Sequence, residues 1–312
     1  MTCSHGVLEA TLARSGGRII LGDGSGHRKA RSLVICQTPA MAHHLQTTAA
    51  DGTTIAWSRT GSGDPVVLVH GITESAAAFD PVTDRLAGSH EVITLDLRGH
   101  GESASASDYG LGAMAGDVAA VVAAARVDRP HLVGHSLGGA VVTAAGSRLP
   151  VASVVDVDQS LQLDAFKAQL VSAETMLRDP AQYQLVVDAM FETMMGDLLP
   201  EAEQTRIKGL RRADHEVVLG VWELLLTEPV ESIAATVDAA LSGYGGRAVP
   251  YLAVFGLDPG PGYASWLVER IPGAVVEYWS DGDRPYGHYP HLVDPDRFVT
   301  RLRDFWSSIP AL

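Results

Sequence analysis

The stretch His131-Leu-Val-Gly-His-Ser-Leu-Gly-Gly139 decides how this chain is interpreted. An apolar run leads into Gly134-His-Ser-Leu-Gly138, and an Ala- and Val-rich run continues from there to Leu149. Glycine two residues before and two residues after a serine, between a strand pattern and a helix pattern, is typical of a nucleophile elbow. Such a turn lifts the serine hydroxyl above the sheet edge. The sequence therefore predicts that Ser136 is a catalytic nucleophile.

A serine hydroxyl at neutral pH needs a base, an orienting acid and an oxyanion site. Upstream, Pro65-Val-Val-Leu-Val-His-Gly71 is predicted to be a buried strand that ends in His-Gly. The glycine lets the chain turn, so that the amide of Ile72 faces the same oxygen as the amide of Leu137. These two amides are the predicted oxyanion hole.

The base and the acid are expected downstream of the serine. His288 lies between Gly287 and Tyr289-Pro290, on a predicted loop just before the last helix, and we favour it over His291 and His135 as the base.

Two carboxylates compete for the role of acid. Asp258 follows the predicted strand Pro250–Phe255, and Asp158 follows the strand before it. A carboxylate at the C-terminal end of a strand lies where open α/β sheets carry their chemistry. We predict Asp258 as the acid, with Asp158 as the alternative.

These residues give the chain a resemblance to the α/β-hydrolase superfamily, in its esterase, lactonase and cofactor-free perhydrolase group. Five stretches in family order carry the resemblance: His70-Gly71, Asp96–Ser103, Gly134–Gly139, Gly256–Asp258 and Gly287–Leu292. The resemblance implies an α/β fold with a mostly parallel, doubly wound sheet. It also implies a Ser-His-Asp triad that needs no metal and no organic cofactor.

Strand and helix patterns alternate along most of the chain, which favours a parallel sheet covered on both faces. Between Asp158 and Arg247 no strand pattern occurs, and apolar residues recur at helical spacings. We therefore predict an α/β-hydrolase core at 41–158 and 247–312, with an all-helical cap at 159–246 inserted after the sixth strand. Residues 1–40 are predicted to be a disordered extension or an upstream reading-frame extension, with a targeting segment as the alternative.

Composition limits the possible partners. The 312 residues carry a net charge of −14, which argues against binding to nucleic acid or to an anionic membrane. Both cysteines, Cys3 and Cys36, precede the predicted core, so no thiol nucleophile or thiolate metal site is expected there. We expect a cytoplasmic protein with a small-molecule substrate, and the oligomeric state stays open.

The predicted substrate is a small-to-medium, apolar or neutral carboxylic ester or lactone, because no cluster of Arg or Lys marks an anion site. The candidate substrate contacts are His70 and Gly71 near the oxyanion amides and, in the predicted cap, Met190, Phe191, Met194 and Trp222. Packing between cap helices is the alternative role for the last four. A C–C bond hydrolase and a cofactor-free perhydrolase use the same triad and are alternative functions, and a hydrolase-fold ligand sensor is an alternative of another class.

Overall fold

An eight-stranded sheet forms the centre of the computed structural model, which describes residues 43–212 and 214–310. Its strands lie in the order β1-β2-β4-β3-β5-β6-β7-β8. Only the β1–β2 and β2–β4 pairs are antiparallel. The strands are β1 (His43–Thr48), β2 (Thr54–Gly61), β3 (Asp64–Val69), β4 (His90–Leu95), β5 (His131–His135), β6 (Ser153–Val157), β7 (Tyr251–Phe255) and β8 (Val275–Tyr278).

A two-stranded ribbon of β9 (Ser280–Asp281) and β10 (Arg284–Pro285) follows the sheet. Two short 3-10 helices are present as well, at Ala76–Phe79 and Ser242–Tyr244. The α-helices of the described residues are α1 (Asp80–Leu86), α2 (Leu111–Ala125), α3 (Leu137–Gly146), α4 (Asp164–Ser172), α5 (Glu174–Leu177), α6 (Tyr183–Met195), α7 (Glu201–Leu210), α8 (His215–Thr227), α9 (Val230–Leu241), α10 (Tyr263–Arg270), α11 (Pro290–Val293) and α12 (Pro295–Ser307).

The central strands bury both of their faces, because successive side chains point to opposite sides of a strand. In β3, Val67 and Val69 belong to a cluster with residues of α2, α3 and α10. The alternate residues Val66 and Leu68 belong to a second cluster with residues of α1 and α12. Helices therefore cover the sheet on both sides, and the predicted doubly wound, mostly parallel fold is confirmed.

The helices α4 to α9 all lie between β6 and β7, and the described residues of that segment contain no strand. The helical insertion after the sixth strand thus agrees with the prediction, while the domain limits at 159 and 246 stay predictions. The strand β1 was not expected; it is a largely polar edge strand, so it lacks a strong apolar pattern. The predicted extension at 1–40 lies outside the described residues. None of the helices that the structure describes is both long and apolar enough to cross a bilayer.

Candidate active site

Ser136 occupies a strained turn between β5 and α3. Its backbone has φ 53° and ψ −126°, in the positive-φ region that L-residues rarely adopt. The turn is possible because the flanking glycines let backbones touch. A Cβ at Gly134 would collide with the carbonyl of Gly138, and a Cβ at Gly138 would collide with the carbonyl of Val69. The predicted spacing of glycine around Ser136 thus has a direct steric cause.

The Ser136 side chain lies against the loop that follows β3. A Cβ added to Gly71 would lie 3.1 Å from the Cβ of Ser136, so glycine at this position leaves room beside the hydroxyl. The amide of Ser136 donates to the carbonyl of Val157, at 2.9 Å. Since Val157 directly precedes Asp158, this bond fixes the serine turn next to the end of β6.

The imidazole of His288 is held by Asp158. Its Nδ1 lies 2.7 Å from Oδ2 of Asp158. The other oxygen of that carboxylate accepts from the amides of Gly256, at 2.7 Å, and Leu257, at 2.9 Å. Three donors thus fix the carboxylate, so it holds the ring in one orientation.

The second ring nitrogen of His288 is not engaged. Its Nε2 is buried and has no hydrogen-bond partner among the described residues. Burial lowers the pKa of His288, while the hydrogen bond from its ring to Asp158 acts in the opposite direction. The net lowering favours the neutral imidazole, the form that accepts a proton.

The prediction of Asp258 as the acid is corrected by these contacts. Asp258 is exposed, and its Oδ1 accepts from the amide of Gly260, at 2.8 Å, within its own turn. The amides that follow β7 point instead at Asp158, which stands directly after β6 with φ 55°. The alternative acid, Asp158, is therefore the partner of His288.

Helix α6 holds the loop that carries His288. Gly287 has φ 73°, and a Cβ there would collide with the carbonyl of Met195. The amide of His288 donates to the carbonyl of Met194, at 2.8 Å. Met194, predicted to contact substrate, thus reaches the site through its backbone.

The two predicted oxyanion residues come together with three of the four predicted substrate contacts of the cap. Leu137 is the first residue of α3, so its amide is one of those at a helix start that have no acceptor within the helix. Ile72 is buried in an apolar cluster with Met190, Phe191 and Trp222, and Leu137 packs against the same cluster. The ring centroids of Phe191 and His288 are 6.4 Å apart.

The structure does not support His70 as a substrate contact. Its Nε2 accepts from the amide of Leu97, at 3.0 Å, so its Nδ1 is the atom that donates to the carbonyl of Gly71, at 2.7 Å. Both ring nitrogens are therefore used by the backbone, and the side chain is fully buried. His70 positions Gly71 beside Ser136.

Sequence reasoning missed the role of Glu74, a buried carboxylate behind the site. Its Oε2 accepts from the amide of Gly71, at 3.2 Å, and lies 3.4 Å from Nδ1 of His135. Its Oε1 accepts from the hydroxyl of Tyr289, at 2.9 Å. Burial opposes ionisation of Glu74, but the nearby imidazole of His135, with smaller contributions from His70 and the Tyr289 hydroxyl, outweighs it, and the pKa of Glu74 is lowered. A glutamate three residues after His-Gly was the available signal.

Comparisons with known proteins agree with the observed fold. The model of the alpha/beta hydrolase family matches residues 66–301. An N-formylmaleamate deformylase of Pseudomonas putida is 42% identical over 80 residues, which are 25% of this chain and 30% of that protein. A 2-(acetamidomethylene)succinate hydrolase of Mesorhizobium japonicum is 33% identical over 132 residues, which are 38% of this chain and 46% of that protein. The chain thus covers less than half the length of these two relatives.

Among solved structures, the esterase RhEst1 from Rhodococcus sp. ECU1013 superimposes with a TM-score of 0.64 at 28% identity. That match covers 86% of this chain and 99% of the esterase. The family match extends over most of the chain and includes the strands and turns that carry Ser136, Asp158 and His288. The chain therefore belongs to the alpha/beta hydrolase family.

Proposed function

We propose that the protein is a serine hydrolase that cleaves carboxylic esters or lactones through an acyl-enzyme, with Ser136, His288 and Asp158 as its triad. One observation carries the proposal. His288 is buried with Nδ1 bound to Asp158, and its Nε2 has no partner among the described residues. His135, which directly precedes Ser136, donates from Nε2 to the carbonyl of His288, at 2.8 Å. The base and the nucleophile are therefore tied to adjacent positions.

The reaction follows from these positions. Ser136 Oγ attacks the acyl carbon while Nε2 of His288 takes the hydroxyl proton, and Asp158 stabilises the imidazolium through Nδ1. The amides of Ile72 and Leu137 donate to the oxyanion of the tetrahedral intermediate. His288 then gives its proton to the leaving oxygen. A water molecule activated by the same imidazole attacks the acyl-enzyme and releases the acid.

The surroundings of the serine support an ester or lactone of small to medium size. Phe191, Met190 and Trp222 pack with Ile72 in one apolar cluster, which favours an apolar part of the substrate next to the oxyanion amides. The 28% identity to an esterase supports the same class. A neutral substrate was expected because the sequence contains no cluster of basic residues. The structure, however, has a single arginine near the site.

The test compares Ser136→Ala with the wild-type protein on 4-nitrophenyl acetate and 4-nitrophenyl butyrate. We expect kcat to fall by about 10⁴-fold or more, because the nucleophile is lost while the fold is kept. Ser172→Ala is the matched control, because Ser172 is exposed on α4 and its hydroxyl only donates to the carbonyl of Gln169. Circular dichroism checks that each variant is folded.

Equal, near-background rates from wild type and Ser136→Ala would contradict the proposal and favour a ligand sensor. A panel of esters, lactones and diketones, together with an assay for peracid formation, separates the ester hydrolase from the C–C bond hydrolase and the perhydrolase. The preferred substrate is the one whose kcat/KM is highest and depends on Ser136.

A further inference from the structure

One arginine lies beside the candidate active site. Arg211 directly follows α7, and its guanidinium carbon lies 4.3 Å from the centroid of the Phe191 ring. The same ring lies 6.4 Å, between centroids, from the imidazole of His288. The guanidinium and the proposed base therefore flank one aromatic ring.

The guanidinium of Arg211 is only partly satisfied. One terminal nitrogen donates to the hydroxyl of Tyr289, at 3.2 Å, and that hydroxyl in turn donates to Glu74. The Nε of Arg211 is buried and has no hydrogen-bond partner among the described residues. In the part of the chain that the structure describes, Arg211 has no carboxylate at ion-pair distance. A buried donor without an acceptor costs free energy unless a ligand supplies one.

Arg206, on α7, has a structural role, and its contacts differ from those of Arg211. Its Nε donates to Glu203, at 2.9 Å, and its terminal nitrogens donate to the carbonyls of Ala77, at 2.6 Å, and Ala78, at 3.0 Å. Arg206 thus ties α7 to the main body of the fold. Since Arg206 already provides this link, Arg211 is not needed for it.

The backbone next to Arg211 is tied to the oxyanion loop. The amide of Arg212 donates to the carbonyl of Thr73, at 2.8 Å, and Thr73 directly follows Ile72. The Thr73 side chain is 1% exposed, and its hydroxyl has no hydrogen-bond partner within the described residues. Among the described residues of this region, the unpartnered buried polar groups besides Nε2 of His288 are therefore the Arg211 Nε–H, the Thr73 hydroxyl and the two ring nitrogens of His291, whose ring centroid lies 4.6 Å from that of His135.

We propose that Arg211 binds a carboxylate of the substrate, so that the hydrolase prefers esters that carry a carboxylate over neutral ones. This inference rests on the proposed function. A guanidinium presents parallel N–H donors that match the two oxygens of a carboxylate. Its attraction to that carboxylate is stronger where water is excluded. The phenol of Tyr289 and the face of Phe191 hold the guanidinium in place. The neutral substrate predicted from sequence is thereby replaced by an anionic one, because one arginine beside the site is enough to bind a carboxylate.

The experiment uses two pairs of probes that differ in charge. Mono-4-nitrophenyl adipate and 4-nitrophenyl 6-methylheptanoate place a carboxylate or a neutral group of similar shape on the acyl side. Potassium 4-acetoxybenzoate and methyl 4-acetoxybenzoate do the same on the leaving-group side. The ratio of kcat/KM for the charged probe to that for the neutral probe is measured for each pair, after subtraction of the uncatalysed rate.

In the wild-type protein we expect this ratio to exceed one in at least one pair, by about 10- to 100-fold, as a hydrogen bond to a charged group implies. Arg211→Gln should bring that ratio close to one, mainly through KM, while kcat/KM for the neutral probe changes by less than about threefold. Arg212→Gln is the matched control, because Arg212 is the exposed neighbour with the same charge. It should keep the wild-type ratio.

Two outcomes overturn the inference. Ratios near one or below for both pairs in the wild-type protein mean that no carboxylate is recognised. An equal loss on charged and neutral probes in Arg211→Gln means that the arginine has only a structural role. In either case the proposed function stands if the protein hydrolyses the neutral probes and Ser136→Ala abolishes that hydrolysis. Rates that do not depend on Ser136 contradict the proposed function itself.

Discussion

Two buried histidines lie side by side, with ring centroids 4.7 Å apart, and each has a carboxylate near its Nδ1. In His288 the bond to Asp158 is 2.7 Å long and Nε2 has no partner among the described residues. In His135, Nδ1 lies 3.4 Å from Oε2 of Glu74, and Nε2 donates to the carbonyl of His288. Burial beside a carboxylate is therefore common to both rings. The unengaged Nε2 is what distinguishes His288, the proposed base, from His135.

The difference also assigns a role to each carboxylate. Asp158 holds the ring of the proposed base, so its loss should affect the rate. Glu74 connects the Gly71 loop, His135 and Tyr289, so its loss should affect the fold around the site. Substitutions that keep the shape of each carboxylate separate these two roles.

The largest expected effect comes from Asp158→Asn. The amide cannot stabilise the imidazolium and favours the wrong tautomer of His288, so we expect kcat on 4-nitrophenyl butyrate to fall by about 10³- to 10⁴-fold. Asp258→Asn is the matched control, because Asp258 is exposed and bonds only within its own turn. It should change kcat by less than about twofold. A near-normal rate for Asp158→Asn, or a large loss for Asp258→Asn, would reverse the assignment of the acid.

Glu74→Gln should affect stability more than rate. The neutral side chain keeps one acceptor oxygen but places an amide group where Glu74 now accepts hydrogen bonds, so we expect a loss of about 1–3 kcal/mol in the free energy of unfolding near pH 7. The rate should fall by less than about tenfold. Urea unfolding measures the first quantity, with Glu269→Gln on the exposed face of α10 as control.

The pH dependence of this loss has a defined sign. The pKa of Glu74 is lowered in the folded protein, so its ionised form contributes stability above the ordinary carboxyl value of about 4.5. That contribution is lost as the pH falls through the folded-state pKa. The difference in stability between wild type and Glu74→Gln should therefore shrink in acid. A difference that is constant with pH would mean that shape, and not charge, makes Glu74 important.

The local sequence was sufficient to predict the parts of the candidate site whose geometry is set by neighbouring residues. Ser136 and Leu137 were predicted because glycines two residues away are required by a turn in which backbones touch. Ile72 was predicted from the Gly71 turn at the end of a strand, and His288 from its position between Gly287 and Pro290 on a loop just before the last helix. The signals that led to these predictions are therefore neighbours in the chain.

The sequence left the acid between Asp258 and Asp158 and did not reveal the hydrogen bonds of His70, because the partners of these side chains are distant in sequence. The choice between Asp158 and Asp258 depends on where the amides of Gly256 and Leu257 point, and both aspartates follow predicted strands. The role of His70 depends on an amide contributed by Leu97. Such long-range hydrogen bonds leave no pattern of spacing in the sequence.

The smallest expected effect concerns the pH profile, and it compares the two histidines directly. The neutral imidazole of His288 is the proposed base, so kcat/KM should fall as the pH drops through its pKa. Burial lowers that pKa, and the neighbouring His135 lowers it further, while Asp158 raises it, so the acid limb should lie below the ordinary value of 6.5. Replacing the neighbouring imidazole in His135→Gln removes a group that lowers the pKa of His288, so the limb should shift upward, by about one unit or less. Initial rates on 4-nitrophenyl butyrate between about pH 4.5 and pH 8.5 measure the acid limb of the wild-type protein and that of His135→Gln. A wild-type limb at or above 6.5, or a downward shift in His135→Gln, would show that the two rings do not interact as their packing implies.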